Sequence, residues 1–243
     1  MSVSPNSSKK DIGFVLVHGA GLDVWVWEEL VSLVKAPALS TVFPAREDDQ
    51  SVREDLRLPD YADTVVEQVE EWDVSRVILV AHLIGGVICT AVASRLEDRL
   101  MGFVGLSAVI PESGQSFLSC FPFHQRVVQQ VVLRFAGTRP PEGIIRRSLC
   151  AELTDEQADR VVAEFVPESR YLYTDPVEET IPDVRTRYVQ TDTDKSVSSG
   201  QQAKMATALG TDDIVTLDTG HLPMLSRPDE LASTLDEFGD RTQ

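Results

Sequence analysis

The chain has 243 residues, 42% of them hydrophobic and 25% charged, a composition that supports one well-packed globular core. Acidic residues number 39 against 22 basic ones, a formal net charge of -17, so the surface lacks the basic patches that nucleic acid or an anionic membrane requires. The three cysteines, Cys89, Cys120 and Cys150, have no framework spacing and read as free thiols in a reducing cytoplasm.

Residues 1–10 are polar and Ser-rich. They read as a flexible N-terminus without the apolar run of a secretion signal. No apolar run in the chain approaches the roughly 20 residues that cross a bilayer. Ile12 to Val17 is a continuous apolar run bounded by glycines, the pattern of a strand buried on both faces. It ends in His18-Gly19-Ala20-Gly21. A helix follows, with Val24, Trp27, Leu30, Val31 and Val34 at helical spacing and Asp23 as its cap. Leu39 to Phe43 reads as a second strand and Pro44 to Pro59 as a solvated, charge-rich loop. Tyr61 to Trp72 is helical, Arg76 to Ala81 is the central strand, and Ile84 to Leu96 is the helix after a tight turn on Leu83. Met101 to Ile110 is a further strand.

Residues 112–183 carry helix signals and no strong strand. Val127, Val128, Val131, Val132 and Phe135 share one helical face, and Thr154 with Gln157 forms a capping box. The pattern then resumes with a strand at Thr186 to Thr191, a helix at Gln201 to Leu209 and a strand at Ile214 to Leu217. A final amphipathic helix is capped at Ser226. The expected fold is α/β: a doubly wound, mostly parallel sheet with helices on both faces. Its core comprises residues 11–111 and 184–240, and residues 112–183 form a helical cap insertion. Ligands of such sheets sit at the carboxyl ends of the strands. Four turns fall there: His18 to Gly21, Ala81 to Gly85, Asp192 to Asp194, and Gly220-His221.

The residues of these turns resemble the α/β-hydrolase superfamily, in particular the small branch of plant methylesterases, hydroxynitrile lyases and bacterial homologues. The resemblance rests on Val17-His18-Gly19-Ala20-Gly21 with Trp25 and Trp27, on His82-x-x-Gly85-Gly86, on Asp194 ahead of Gln201 and Met205, and on Gly220-His221. It implies a sheet of six or slightly more strands. It also implies His221 as the catalytic histidine and Asp194 as its orienting acid, with Asp192 as the rival acid. The backbone N–H groups of Ala20 and Ile84 would form an oxyanion hole, and Leu83, Gly19 and Gly21 would border the substrate pocket.

The departure from the family pattern is at the elbow. In the pattern G-x-S-x-G, Leu83 takes the place of serine and Ala81 that of the first glycine, while Gly85 is kept. Leucine has no lone pair and forms no acyl-enzyme. Three readings stand side by side. In the first, a His221–Asp194 dyad acts alone as general base on a small apolar carbonyl or hydroxy compound of natural-product metabolism, with lyase, cyclase, isomerase, decarboxylase or water-attack hydrolase chemistry. In the second, the nucleophile is relocated to Asp23, Ser107 or Cys120. In the third, the chain is inactive and binds a small ligand or partner. Of the other histidines, His18 reads as a brace of the glycine turn, His82 as buried and hydrogen-bonded, and His124 as a surface residue. No His/Cys/Asp/Glu group has metal spacing, and the Gly-Ala-Gly turn lacks the rest of a dinucleotide fingerprint, so no metal or cofactor is expected. Oligomeric state is left open.

Overall fold

The computed structural model describes residues 10–135 and 137–242. The expectation for residues 1–10 therefore lies outside the described residues, apart from Lys10, which opens the first strand.

Six strands form one sheet: β1 Lys10–Val17, β2 Ala38–Ser40, β3 Val74–His82, β4 Leu100–Leu106, β5 Arg185–Thr191 and β6 Ile214–Leu217. Their order is β2-β1-β3-β4-β5-β6, and every pairing is parallel. Alternation along the central strands sends side chains into two cores. Val15, Val17, Val77, Leu79 and Ala81 face one, and Phe14, Leu16, Ile78 and Val80 face the other. Both faces are covered, so these strands read as unbroken apolar runs. Each fully buried Val or Leu contributes about 1.5–3 kcal/mol.

The first core is closed by helix α3 (Leu58–Glu71), with Tyr61, Val65 and Val69, and by helix α4 (Gly85–Ala93), whose residues are all buried. The second holds Trp27 and Leu30 from the segment around α1 (Glu28–Leu33), and Leu231, Leu235 and Phe238 from the C-terminal helix Pro228–Asp240. The expected final helix is split. Arg227 leaves helical geometry (φ -142) between the short helix Pro223–Ser226 and Pro228. A proline at a first helical position forfeits no hydrogen bond, so the new helix starts there. Ser226 is not its cap; the Ser226 hydroxyl lies 2.6 Å from that of Thr219. Asp23 does cap its turn, accepting from the Val24 N–H at 2.7 Å, but that first turn is a 3-10 turn (Val24–Trp27). β2 stops at Ser40, short of Phe43, and the loop after it holds the short helix α2 (Gln50–Glu54). β4 stops at Leu106, short of Ile110, because Ser107 turns into the left-handed region with φ 43.

Between β4 and β5 lie four helices, Phe123–Phe135, Glu142–Leu149, Asp155–Ala163 and Tyr171–Thr174, and Thr154 and Gln157 do form the capping box. Val127 and Val131 are exposed; the side chains of Val128, Val132 and Phe135 lie outside the described ones. Ion pairs tie this segment to the core, among them an exposed one between Arg160 and Glu28 at 3.7 Å and two stronger ones. Arg57 forks onto Asp175 with two hydrogen bonds of 2.7 Å. Buried Glu168 accepts from Arg46 at 2.7 Å and from the Tyr61 hydroxyl at 3.1 Å.

The first turn of α4 approaches the ends of other strands so closely that only glycine fits. A Cβ on Gly86 would lie 2.3 Å from the Val109 carbonyl oxygen, and one on Gly85 would lie 2.6 Å from that of Val17. Neither obstacle is a side chain that can swing away. Gly86→Ala is therefore expected to lose about 1–3 kcal/mol of stability, read as a lower urea midpoint with an unchanged slope.

Candidate active site

The strand–turn–helix from β3 to α4 pivots on Leu83, which has φ 50. A leucine there carries strain of about 1–3 kcal/mol. The surroundings hold it in place. The Leu83 N–H donates to the Leu106 carbonyl at 3.4 Å, and the Leu83 carbonyl accepts from the Val109 N–H at 2.9 Å and the Gly86 N–H at 3.1 Å. The turn leaves Ile84 as the residue before the first helical position. Neither its N–H nor that of Ala20, in the turn after β1, donates a hydrogen bond among the described residues.

Asp194 and His221 meet two strands away. The His221 Nδ1 lies 2.8 Å from Asp194 Oδ2, and both side chains are buried. The same Oδ2 accepts from the Ser107 hydroxyl at 2.6 Å and the Thr191 hydroxyl at 3.0 Å. Oδ1 accepts from the N–H groups of Ser196 at 2.6 Å and Val197 at 3.0 Å. Burial pushes the carboxyl group up, but the facing His221 imidazole and these donors outweigh it and hold Asp194 well below the usual carboxylate range. Asp192, the rival acid, is exposed and makes no contact with His221. With Nδ1 committed to Asp194, His221 keeps Nε2 buried and without any partner.

His82 and His18 brace the backbone around the dyad. His82 Nε2 lies 3.0 Å from the His221 carbonyl oxygen and donates to it, and its Nδ1 faces Gly19, where an added Cβ would lie 2.9 Å away. His18 stacks on Phe43 at 3.9 Å between ring centroids and hydrogen-bonds the Gly19 carbonyl at 2.9 Å. Burial is the main cause that holds both imidazoles neutral. His82 lies well below its ordinary value, and His18, with Arg46 nearby, is lowered to about 3. His124 is exposed, as the sequence suggested.

A cavity of about 350 Å³ opens in front of Leu83. Ala20, Phe117, Leu133, Phe165 and Tyr173 are among its walls, with Ser196 beside the acid loop. Two expected wall residues are placed elsewhere. A Cβ on Gly21 would lie 2.1 Å from the Phe165 ring, so Gly21 backs that ring, while Gly19 sits against His82 and Leu83. Asp23, Ser107 and Cys120 do not border the cavity either. Asp23 caps its turn, Ser107 is spent on Asp194, and burial, with Glu112 near, pushes the Cys120 thiol up to about 12.

Sequence reasoning missed the donors that cradle Asp194: Thr191 and the Ser196 and Val197 amides belong to its own turn, whereas Ser107 reaches it only through the sheet. It also missed Glu152. This residue of the inserted segment accepts from the Gly220 N–H at 3.0 Å and from the Thr193 hydroxyl, so it clasps the acid turn and the histidine turn together. Its position in the sequence carries no signal of that role.

The pattern of the Alpha/beta hydrolase family matches residues 14–234. Norfluorocurarine synthase 2 of a Strychnos species is 26% identical over 99% of each chain. Methyl jasmonate esterase 1 of Vitis vinifera is 25% identical, covering 95% of this chain and 97% of its own. Among solved structures, tomato methylketone synthase I complexed with 2-tridecanone superposes with a TM-score of 0.79 at 16% identity, over 96% of this chain and 99% of that one.

His18 and His82 make stability depend on pH in a definite direction. Their folded-state values lie below the ordinary 6.5. The unfolded chain therefore binds protons first, and the stability held above pH 6.5 is lost as pH falls, down to about 3 for His18. Each imidazole costs up to about 1.4 kcal/mol per pH unit. Asp194, also lowered, adds its own loss only below its ordinary 3.8. Urea unfolding at pH 7.5, 6 and 5 is expected to show a steady fall, and His18→Asn should roughly halve the slope between pH 6 and 5. A flat profile over that range would contradict the assignment.

Proposed function

The chain belongs to the alpha/beta hydrolase family, and from that premise we propose that it is an enzyme working without a serine nucleophile. The observation that carries this reading is the state of His221. Its Nδ1 is fixed on a buried carboxylate, and its Nε2 is dry and unpartnered. An imidazole held this way takes a proton at Nε2, and Asp194 stabilises the cation that forms. The proton would come from a substrate O–H or C–H, or from water. The negative charge left on the substrate oxygen would be met by the Ala20 and Ile84 N–H groups, which need no particular side chain at position 83. The proton then returns to the product.

The substrate is a small, largely apolar carbonyl or hydroxy compound, in keeping with the cavity walls of Leu83, Phe117, Leu133 and Phe165. The helices of residues 112–183 serve as the cap that closes over it. Relatives named synthases stand beside esterases, and one structural neighbour holds an apolar ketone. The synthase relatives and the ketone-bound neighbour support carbonyl chemistry other than acyl transfer, with a natural-product intermediate as substrate, and the esterases support a carbonyl substrate. Three free cysteines, two of them buried, fit a reducing cytoplasm.

A second reading rests on one observation. His221 is only 2% exposed and does not border the cavity, whereas Leu83, Ala20 and Ser196 do. In that case the chain binds a small ligand and leaves it unchanged.

A panel of β-keto acids, hydroxy ketones and aryl esters separates the two. The dyad reading expects turnover of at least one non-ester compound. It expects His221→Ala to lose about 100-fold or more while still folding, with a wild-type-like circular-dichroism spectrum. Nitrophenyl acetate should give no burst, and Leu83→Ser should gain esterase activity. A ligand that binds tightly and is recovered intact, with no gain in Leu83→Ser, would establish the second reading instead.

A further inference from the structure

Ser107 is the other left-handed residue at the site. β3 and β4 run in register with His82 opposite Leu106, so Leu83 (φ 50) and Ser107 (φ 43) follow side by side just beyond the ladder. Glycine would relieve the strain at either position. At Ser107 the strained backbone, whose N–H is anchored on the Val189 carbonyl at 3.0 Å, delivers a fully buried hydroxyl to Asp194 Oδ2 at 2.6 Å. That oxygen is the one His221 uses, so the hydroxyl and the imidazole compete for the same negative charge.

We propose that Ser107 is a positioning residue: its hydroxyl draws off part of the Asp194 charge that would otherwise bear on the His221 imidazole, and so tunes how readily Nε2 takes a proton. The positive end of the O–H dipole points at Oδ2, next to the Nδ1–H, where it opposes a second positive charge on the ring. Thr191 adds a weaker share from 3.0 Å. The Ser196 and Val197 amides draw on the same charge through Oδ1 and are the same in every variant below. His82 on β3 is neutral, with its ring centroid 4.7 Å from that of His221. His18, beyond β1, is neutral too. The Tyr188 hydroxyl on β5 donates to the Ala108 carbonyl at 2.9 Å and is pushed well above its ordinary value by burial. Glu152 bears on the Gly220 amide and the Thr193 hydroxyl and is the same in every variant below. The inference rests on the dyad reading for its catalytic meaning, but its physical content is a property of the resting protein.

The test is an NMR titration of the ring nitrogens in the full chain, with the His221 signals assigned by their loss in His221→Ala. Ser107→Ala and Ser107→Gly both remove the hydroxyl, and the glycine variant also removes the strain, so it serves where alanine fails to fold. Both are expected to raise the His221 midpoint by about 0.5–1 pH unit, equivalent to a roughly three- to tenfold easier protonation. Ser107→Thr, which keeps a hydroxyl, should return it to the wild-type value. An unchanged or lower midpoint in the alanine and glycine variants overturns the proposal. So does a threonine variant that shifts as far as alanine, or a ring that stays neutral down to pH 5 in every variant. Turnover is read separately. If His221→Ala keeps its activity, the dyad reading fails while the titration still decides the role of Ser107. If His221→Ala is inactive and the midpoints do not move, the dyad stands and Ser107 is structural.

Discussion

The carboxylate of Asp194 is the charge on which the carboxyl end of the sheet depends. Leaving an ion in a site only 9% exposed costs several kcal/mol unless its lone pairs are met. Here they are met by five donors: Ser107 after β4, Thr191 at the end of β5, Ser196 and Val197 in the following loop, and His221 after β6. Thr191, Ser196 and Val197 lie within three residues of Asp194, but Ser107 and His221 reach it only through the parallel register of β4, β5 and β6. The register therefore makes the anion possible, and the anion in turn penalises any slip of those strand ends. Glu152 extends the same logic outward, because its contacts with Gly220 and Thr193 make the inserted segment part of what orders the site.

The elbow is preserved by backbone interactions that take no account of the side chain at its tip. Leu83 is cross-linked to β4 on one side and to the Val109 segment on the other, and Gly85 and Gly86 let α4 press against carbonyls of Val17 and Val109. Substituting the tip residue leaves all of this intact. Its consequence for chemistry is that the unpaired Ala20 and Ile84 amides keep their places whether or not a nucleophile stands between them. Under the proposed mechanism the stabilisation of negative charge and the supply of a nucleophile are separable functions of one turn, and only the first is called on.

The sheet was legible in the sequence because buried parallel strands are local, continuous apolar runs ended by glycine, as at Ile12 to Val17. The pairing of His221 with Asp194 was legible because each follows a strand directly and strand ends converge in this architecture. What escaped was long-range. β4 ends early because Ser107 turns left-handed to reach a residue 87 positions away, and neither the turn nor the partner leaves a local mark. Gly21 suggested a pocket wall, yet its missing side chain makes room for the Phe165 ring. Phe165 belongs to a segment whose docking no periodicity encodes. Most of the cavity walls come from residues 117–173 and escaped for the same reason.

The sharpest physical consequence concerns Nε2 of His221. It has no hydrogen-bond partner among the described residues, and an unmet buried acceptor costs about 1–3 kcal/mol. A folded chain carries this cost together with the strain at Leu83 and Ser107, three local penalties gathered at neighbouring strand ends. A ligand that brings a hydrogen to Nε2 and an oxygen to the two free amides would remove the first penalty and satisfy both donors in the same step. The resting site is thus short of one donor and one acceptor, and a hydroxyl beside a carbonyl, or a carbonyl with an acidic neighbouring C–H, supplies both.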